Sequence, residues 1–128
     1  MSRIEVSARQ TTTHTGVVIP AGQKAYIKAV SGQTWLTHAH GSGGRCGVGG
    51  NGISANRRDG YQAFMGDEGC MWGAADQGNG VQWVTYWFPR GGDNATLEVP
   101  GPGTLVLGPN DDDYTDNSYD ISVEIVVR

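Results

Sequence analysis

The sequence predicts an all-β protein, a small antiparallel β-sandwich of jelly-roll type, with one domain covering residues 1–128. Three observations carry this expectation. Short strand-like runs recur along the chain, turn-forming residues separate them, and no window repeats its apolar residues at the helical period. The runs fall at residues 4–8, 16–19, 24–30, 34–38, 70–74, 81–88, 96–99, 104–107 and 121–127. In the third, Ala25, Ile27 and Ala29 alternate with Lys24, Tyr26 and Lys28, so one face is apolar and the other polar. In the last, Ser122 and Glu124 alternate with Ile121, Val123 and Ile125, and both polar residues are expected to point outward. Turn formers stand at Pro20-Ala21-Gly22, at Gly91-Gly92-Asp93-Asn94 and at Pro100-Gly101-Pro102-Gly103.

Four tryptophans, Trp35, Trp72, Trp83 and Trp87, provide the aromatic bulk of a core that must bury roughly two thirds of the unfolded surface. Trp83 and Trp87 share a face of the 81–88 run, which places both in the core or in an interface; a tryptophan left outside would offer a platform to a sugar ring. The segment 41–52 is rich in glycine but lacks the following helix and the Lys-Ser/Thr pair of a phosphate loop, so it reads as a turn-rich surface loop.

Charge excludes some functions. A net charge of −4 and a pI near 5.1 leave no basic footprint for nucleic acid or anionic lipid. No apolar segment approaches the ~20 residues that span a bilayer, so membrane insertion is not expected. The opening residues from Met1 to Val6 enter a strand pattern without the apolar region of a signal peptide. The expectation is synthesis into the cytoplasm, compatible with later release or attachment at a cell surface. Cys46 and Cys70 lack metal-ligand spacing; they either pair outside the cell or stay as two buried thiols.

The chemistry concentrates in residues 110–120, Asn-Asp-Asp-Asp-Tyr-Thr-Asp-Asn-Ser-Tyr-Asp, between two strand-like runs. Hard oxygen donors without sulfur or imidazole suit Ca²⁺, which takes roughly six to eight oxygens at about 2.3–2.6 Å. The plain alternative is an acidic, solvated loop. Asp111-x-Asp113-x-Thr115 begins like an EF-hand loop, but Asp116 stands where that loop needs Gly, Ser122 where it needs Glu, and both flanks read as strands. His38 and His40 alternate as half of a zinc site, yet no third histidine is near, and His14 lies in a Thr-rich turn. No nucleophile elbow, metalloprotease pair or cysteine–histidine couple is present, so no catalysis is expected. Nothing in the spacing of the acidic residues picks out a glycoside-hydrolysing pair.

Two parts of the chain resemble one family. Gly103-Thr104-Leu105-Val106-Leu107, Asn110-Asp111, Thr115-Asp116-Asn117-Ser118 and Ile121-Ser122-Val123-Glu124-Ile125 resemble the C-terminal signature of the bacterial PA-IL-like galactose-binding lectins. Val6-Ser7-Ala8, Ile19-Pro20-Ala21-Gly22-Gln23 and Ala29-Val30-Ser31-Gly32 are similar to that family's opening strands. The resemblance implies a sandwich that binds sugar through Ca²⁺. Asp111, Thr115 by its carbonyl, Asp116 and Asn117 would be calcium ligands, with a further carbonyl from Trp35 or Leu36. Asp111, Asp112 and Asp116 would accept hydrogen bonds from sugar hydroxyls. The family's mid-chain His and Gln contacts have their nearest positional candidates in Asn56, Asp59 and Gln62, beside Arg57 and Arg58; His38 and His40 are alternatives. Asp112-Asp113-Tyr114 replaces the family's usual Val-Pro-Gly, and the loop is shorter between Thr115 and Asp116.

The function expected on this resemblance is calcium-dependent binding of terminal galactose-type sugars, with Ca²⁺ as cofactor, a carbohydrate as partner and a homo-oligomer that multiplies weak sites. The competing expectation is a structural or assembly module, such as a toxin or phage-type accessory domain, whose acidic loop only binds a structural Ca²⁺.

Overall fold

The structure is a computed structural model that describes residues 2–36, 45–52, 54–55, 63, 65–80, 82–111 and 117–128. These residues form ten strands: β1 (Ser2–Ser7), β2 (Thr13–Ile19), β3 (Lys24–Ala29), β4 (Trp35–Leu36), β5 (Arg45–Cys46), β6 (Met71–Asp76), β7 (Tyr86–Trp87), β8 (Thr96–Pro100), β9 (Gly103–Pro109) and β10 (Asp120–Val127). Among the described residues there is no helix, and so none long and apolar enough to cross a membrane. Two antiparallel four-stranded sheets, ordered β1-β10-β3-β8 and β2-β9-β6-β7, face each other, and β4-β5 forms a separate pair. The fold is the small antiparallel β-sandwich that the strand periodicity predicts.

Alternation builds the core. Val6, Ala25, Ile27, Leu97, Val99, Ile121, Val123 and Ile125 from the first sheet meet Ile19, Met71, Leu105 and Leu107 from the second. The lysines of β3 lie outside, as the pattern requires. Ser122 departs from expectation: it is buried, because the 30–33 turn folds over it, with Val30 N donating to Ser122 O at 2.9 Å and Ser122 N donating to Gln33 Oε1. His14 lies in β2 opposite Val106 rather than in a turn. The register of β2 shifts between His14 and Val18, where Thr15 Oγ1 donates to Leu105 O at 2.7 Å and accepts from Val17 N at 3.1 Å, replacing ladder bonds.

The 81–88 run is corrected most. Only Tyr86–Trp87 pairs with β6, and residues 82–85 leave the sheet. The reason is a second apolar layer. Trp72, Ala74 and Val106 face away from the main core and are covered by Ala63, Trp83 and Trp87. Strand β6 is therefore apolar on both faces, and the chain after it must fold back as a cover rather than extend.

The glycine-rich segment is also corrected over its described part. Cys46 and Val48 are buried, and Gly49 N donates to Asp93 Oδ1 at 2.9 Å, so this stretch is packed rather than looped over the surface. Gly50 has φ +87°, and a Cβ there would stand 2.8 Å from Asp67 Cβ and 2.9 Å from Glu68 O. Gly50→Ala is expected to destabilise by about 2 kcal/mol or more, through clash and left-handed strain together. A urea midpoint unchanged from the parent would contradict that.

Cys46 and Cys70 are both buried and form no disulfide, so of the two expectations the pair of buried thiols holds. Burial, reinforced by the Asp67 carboxylate, pushes the Cys70 thiol far above the ordinary value of 9.0. The thiol should resist alkylation in the native state and react only on unfolding, as timed labelling would show. The unfolded chain ionises its thiol above pH 9.0 while the folded one does not, so this contribution to stability is intact below that pH and is lost as pH rises further.

Candidate functional site

Three of the residues singled out in the sequence, Leu36, Asp111 and Asn117, come from separate segments that hydrogen bonds tie into one end of the sandwich. Leu36 forms a two-bond bridge with Ser118, N to O at 2.9 Å in each direction, which fixes it beside Asn117. The neighbouring Trp35 is fully buried and donates from Nε1 to Gly69 O at 2.8 Å. Gly69 N in turn donates to Asn110 O at 2.7 Å, and Asn110 immediately precedes Asp111. One residue, Gly69, thus links the strand carrying Leu36 to the backbone carrying Asp111.

Asn110 is the organising residue. It is fully buried and continues β9 by donating from N to Cys70 O at 2.8 Å. Its side chain accepts from Ala63 N at 2.9 Å and donates to Ala63 O at 2.9 Å and to Asp67 O at 3.0 Å. The chain that follows residue 62 is therefore held against the residue before Asp111. Asp67 is itself held by Arg90, through Nε at 2.8 Å and Nη2 at 3.0 Å. That bidentate pair raises the Arg90 pKa, by hydrogen bond first and charge second.

Asn117 carries the clearest chemical signal. Its Nδ2 donates to Ala8 O at 2.8 Å, while Ala8 N donates to Tyr119 O at 3.1 Å, so the turn is clamped to the end of β1. A carbonyl must face the NH₂ group, so the amide orientation is determined and Oδ1 points the other way. That Oδ1 is buried and accepts no hydrogen bond among the described residues. A buried oxygen left without a donor costs about 1–3 kcal/mol, which a cation would relieve. Asp111 is only 1% exposed. The Asp111 carboxylate and the Asn117 amide oxygen are hard oxygen donors of the kind that Ca²⁺ accepts and that softer metals do not favour, while the Leu36 carbonyl already accepts from Ser118 N. Among the described residues no group of three or more His, Cys, Asp or Glu is placed to hold a metal.

Two residues to which the sequence assigns no role of their own, Tyr119 of the acidic stretch and Arg45 of the glycine-rich segment, border this end. Tyr119 has φ +75°, a backbone state that a bulky residue rarely adopts, and its ring is half exposed. The Arg45 guanidinium lies 4.0 Å from the Tyr119 ring centroid and donates to Thr34 O at 3.1 Å. An aromatic ring adjoining an acidic turn carries no periodic signal, so only the fold brings it to notice.

Thr115, Asp116, Asp112, Asn56, Asp59 and Gln62 lie outside the described residues, as do Arg57, Arg58, His38 and His40. Compared with known proteins, the chain matches no protein-family model and no curated sequence.

Proposed function

We propose that this protein is a calcium-dependent carbohydrate-binding protein, a lectin without catalytic activity. The observation that carries the reading is the buried Asn117 Oδ1 that lacks a donor, in a turn bridged to Leu36, at the end of the sandwich where Asp111 is also buried. Asp111, Asn117 and the Leu36 carbonyl would hold Ca²⁺ together with Thr115 and Asp116. When bound, the ion supplies coordination positions that two neighbouring sugar hydroxyls can occupy in place of water. The protein's own part is recognition. Asp111 accepts from a hydroxyl in a charge-assisted hydrogen bond, and the Tyr119 ring, backed by Arg45, offers an apolar face at the rim. Terminal galactose-type sugars are the substrate class suggested by the resemblance of the 103–125 segment to PA-IL-like lectins. Homo-oligomerisation would raise the avidity of such weak sites.

The test is a glycan array in millimolar Ca²⁺ and again in excess chelator. Signals on terminal galactosides that vanish in chelator are the expected outcome. Calcium-dependent signals on other sugars would keep the mechanism and replace the specificity. Silence in both buffers from folded protein would reject the reading in favour of an assembly module with a structural ion.

A further inference from the structure

We propose that the cleft between residues 77–80 and 82–86 on one side and the β8–β9 turn on the other is a second saccharide-binding site that needs no metal. It lies at the other end of the molecule from Asp111. Strands β6 and β9 pair from Met71 opposite Pro109 to Asp76 opposite Thr104, so the length of that ladder, roughly 17–20 Å, separates the two ends.

The cleft has a volume of about 210 Å³, and none of the described residues that line it is charged. Three carboxamides, Gln77, Asn79 and Gln82, and two aromatic rings, Trp83 and Tyr86, give it its chemistry. Two of the amides, Gln77 and Asn79, are held in place. Gln77 Nε2 donates to Pro102 O at 3.3 Å, Asn79 Nδ2 donates to Gln77 Oε1 at 3.5 Å, and Gly78 N donates to Asp76 Oδ1 at 2.9 Å to close the turn beneath them. Trp83 is braced from behind by Trp72, with ring centroids 6.0 Å apart and planes inclined by 33°. Trp72 is fully buried and pinned by its Nε1 bond to Pro109 O at 3.1 Å. The Trp83 ring is therefore a supported platform, not a loose surface side chain.

Carboxamides donate and accept together, which suits a ligand bearing several neutral hydroxyls, and an aromatic wall suits one with an apolar C–H face. A sugar ring has both properties. Absence of charge disfavours phosphates and acidic or basic peptides. The volume falls below the roughly 300–1,000 Å³ of drug-sized ligand pockets, so the cleft takes one ring, whereas a polyproline segment needs an extended groove. The inference stands whether or not the calcium site binds sugar, because no residue is shared between them.

The experiment is a two-dimensional NMR titration of the full chain in excess chelator. Methyl galactoside, methyl glucoside and N-acetylglucosamine are added separately at millimolar concentrations, and a proline-rich peptide serves as the competing ligand. At least one sugar is expected to shift the Trp83 indole and the Gln77 and Gln82 side-chain amides saturably, with millimolar dissociation too weak to register on an array. Asp111→Ala should leave those shifts intact. Gln82→Ala, at an exposed position, should weaken them about tenfold, the worth of one lost hydrogen bond of about 1.4 kcal/mol. Still signals with every sugar, or shifts produced only by the peptide, would overturn the proposal. So would sugar shifts that Gln82→Ala and Gln77→Ala both leave unchanged.

Discussion

Asp111→Asn is expected to lower calcium affinity at least about a hundredfold and to abolish calcium-dependent sugar binding, while the protein stays folded. The magnitude follows from the role proposed for Asp111: loss of residues that merely orient a metal ligand costs 10–100-fold, and Asp111 would be a ligand itself. Saturating Ca²⁺, at a hundred times its dissociation constant, should stabilise the parent by about 2.7 kcal/mol, roughly 10 °C in midpoint, and the variant hardly at all. Equal calcium-induced shifts in the two proteins would remove Asp111 from the site.

The second large effect is on the fold. Asn110→Ala removes three side-chain hydrogen bonds in a fully buried position and leaves Ala63 N, Ala63 O and Asp67 O without that partner. Ala63 O and Asp67 O keep their bonds from Gly66 N and Cys70 N, so one buried donor, Ala63 N, is left unsatisfied at about 1–3 kcal/mol. Two further bonds are lost at about 1 kcal/mol each, a loss of about 3 kcal/mol in all. Asn110→Asp should be no better. It keeps the acceptor for Ala63 N but turns a negative charge toward the carbonyls of Ala63 and Asp67. Denaturant midpoints for both variants check this, and a loss below about 1 kcal/mol for either would show that other bonds hold this end of the sandwich together.

Much of the fold is legible in the chain because half-buried strands declare themselves. Ala25-Tyr26-Ile27 and Ile121-Ser122-Val123 alternate as strands with one buried face must. What periodicity conceals is burial on both faces. Met71-Trp72-Gly73-Ala74-Ala75 does not alternate, because Trp72 and Ala74 serve a second apolar layer. Trp83 and Trp87, spaced to share a strand face, are instead parts of the cover for that layer. Ser122 misleads for a related reason, since a turn remote in sequence covers it.

Of the candidate site, the order Asn110-Asp111 and Thr115-Asp116-Asn117-Ser118 marks the acidic turn in the sequence, and the Leu36–Ser118 bridge sets Leu36 beside the described part of that turn. The structural weight of Asn110 was not legible, because its partners Ala63 and Asp67 are distant in sequence and chemically ordinary. The opposite cleft was hidden likewise: Gln77, Gln82 and Pro102 become neighbours only through the β6–β9 pairing.

Calorimetric titration of Ca²⁺ into metal-stripped protein, alone and with a saturating concentration of the sugar the array identifies, tests the central claim most directly. An ion that bridges protein and sugar must couple the two affinities, and the coupling is reciprocal. The account predicts that sugar tightens calcium binding and that the same sugar gives no calcium-linked heat in chelator. Calcium affinity identical with and without sugar would contradict it, leaving an ion that only pins a loop.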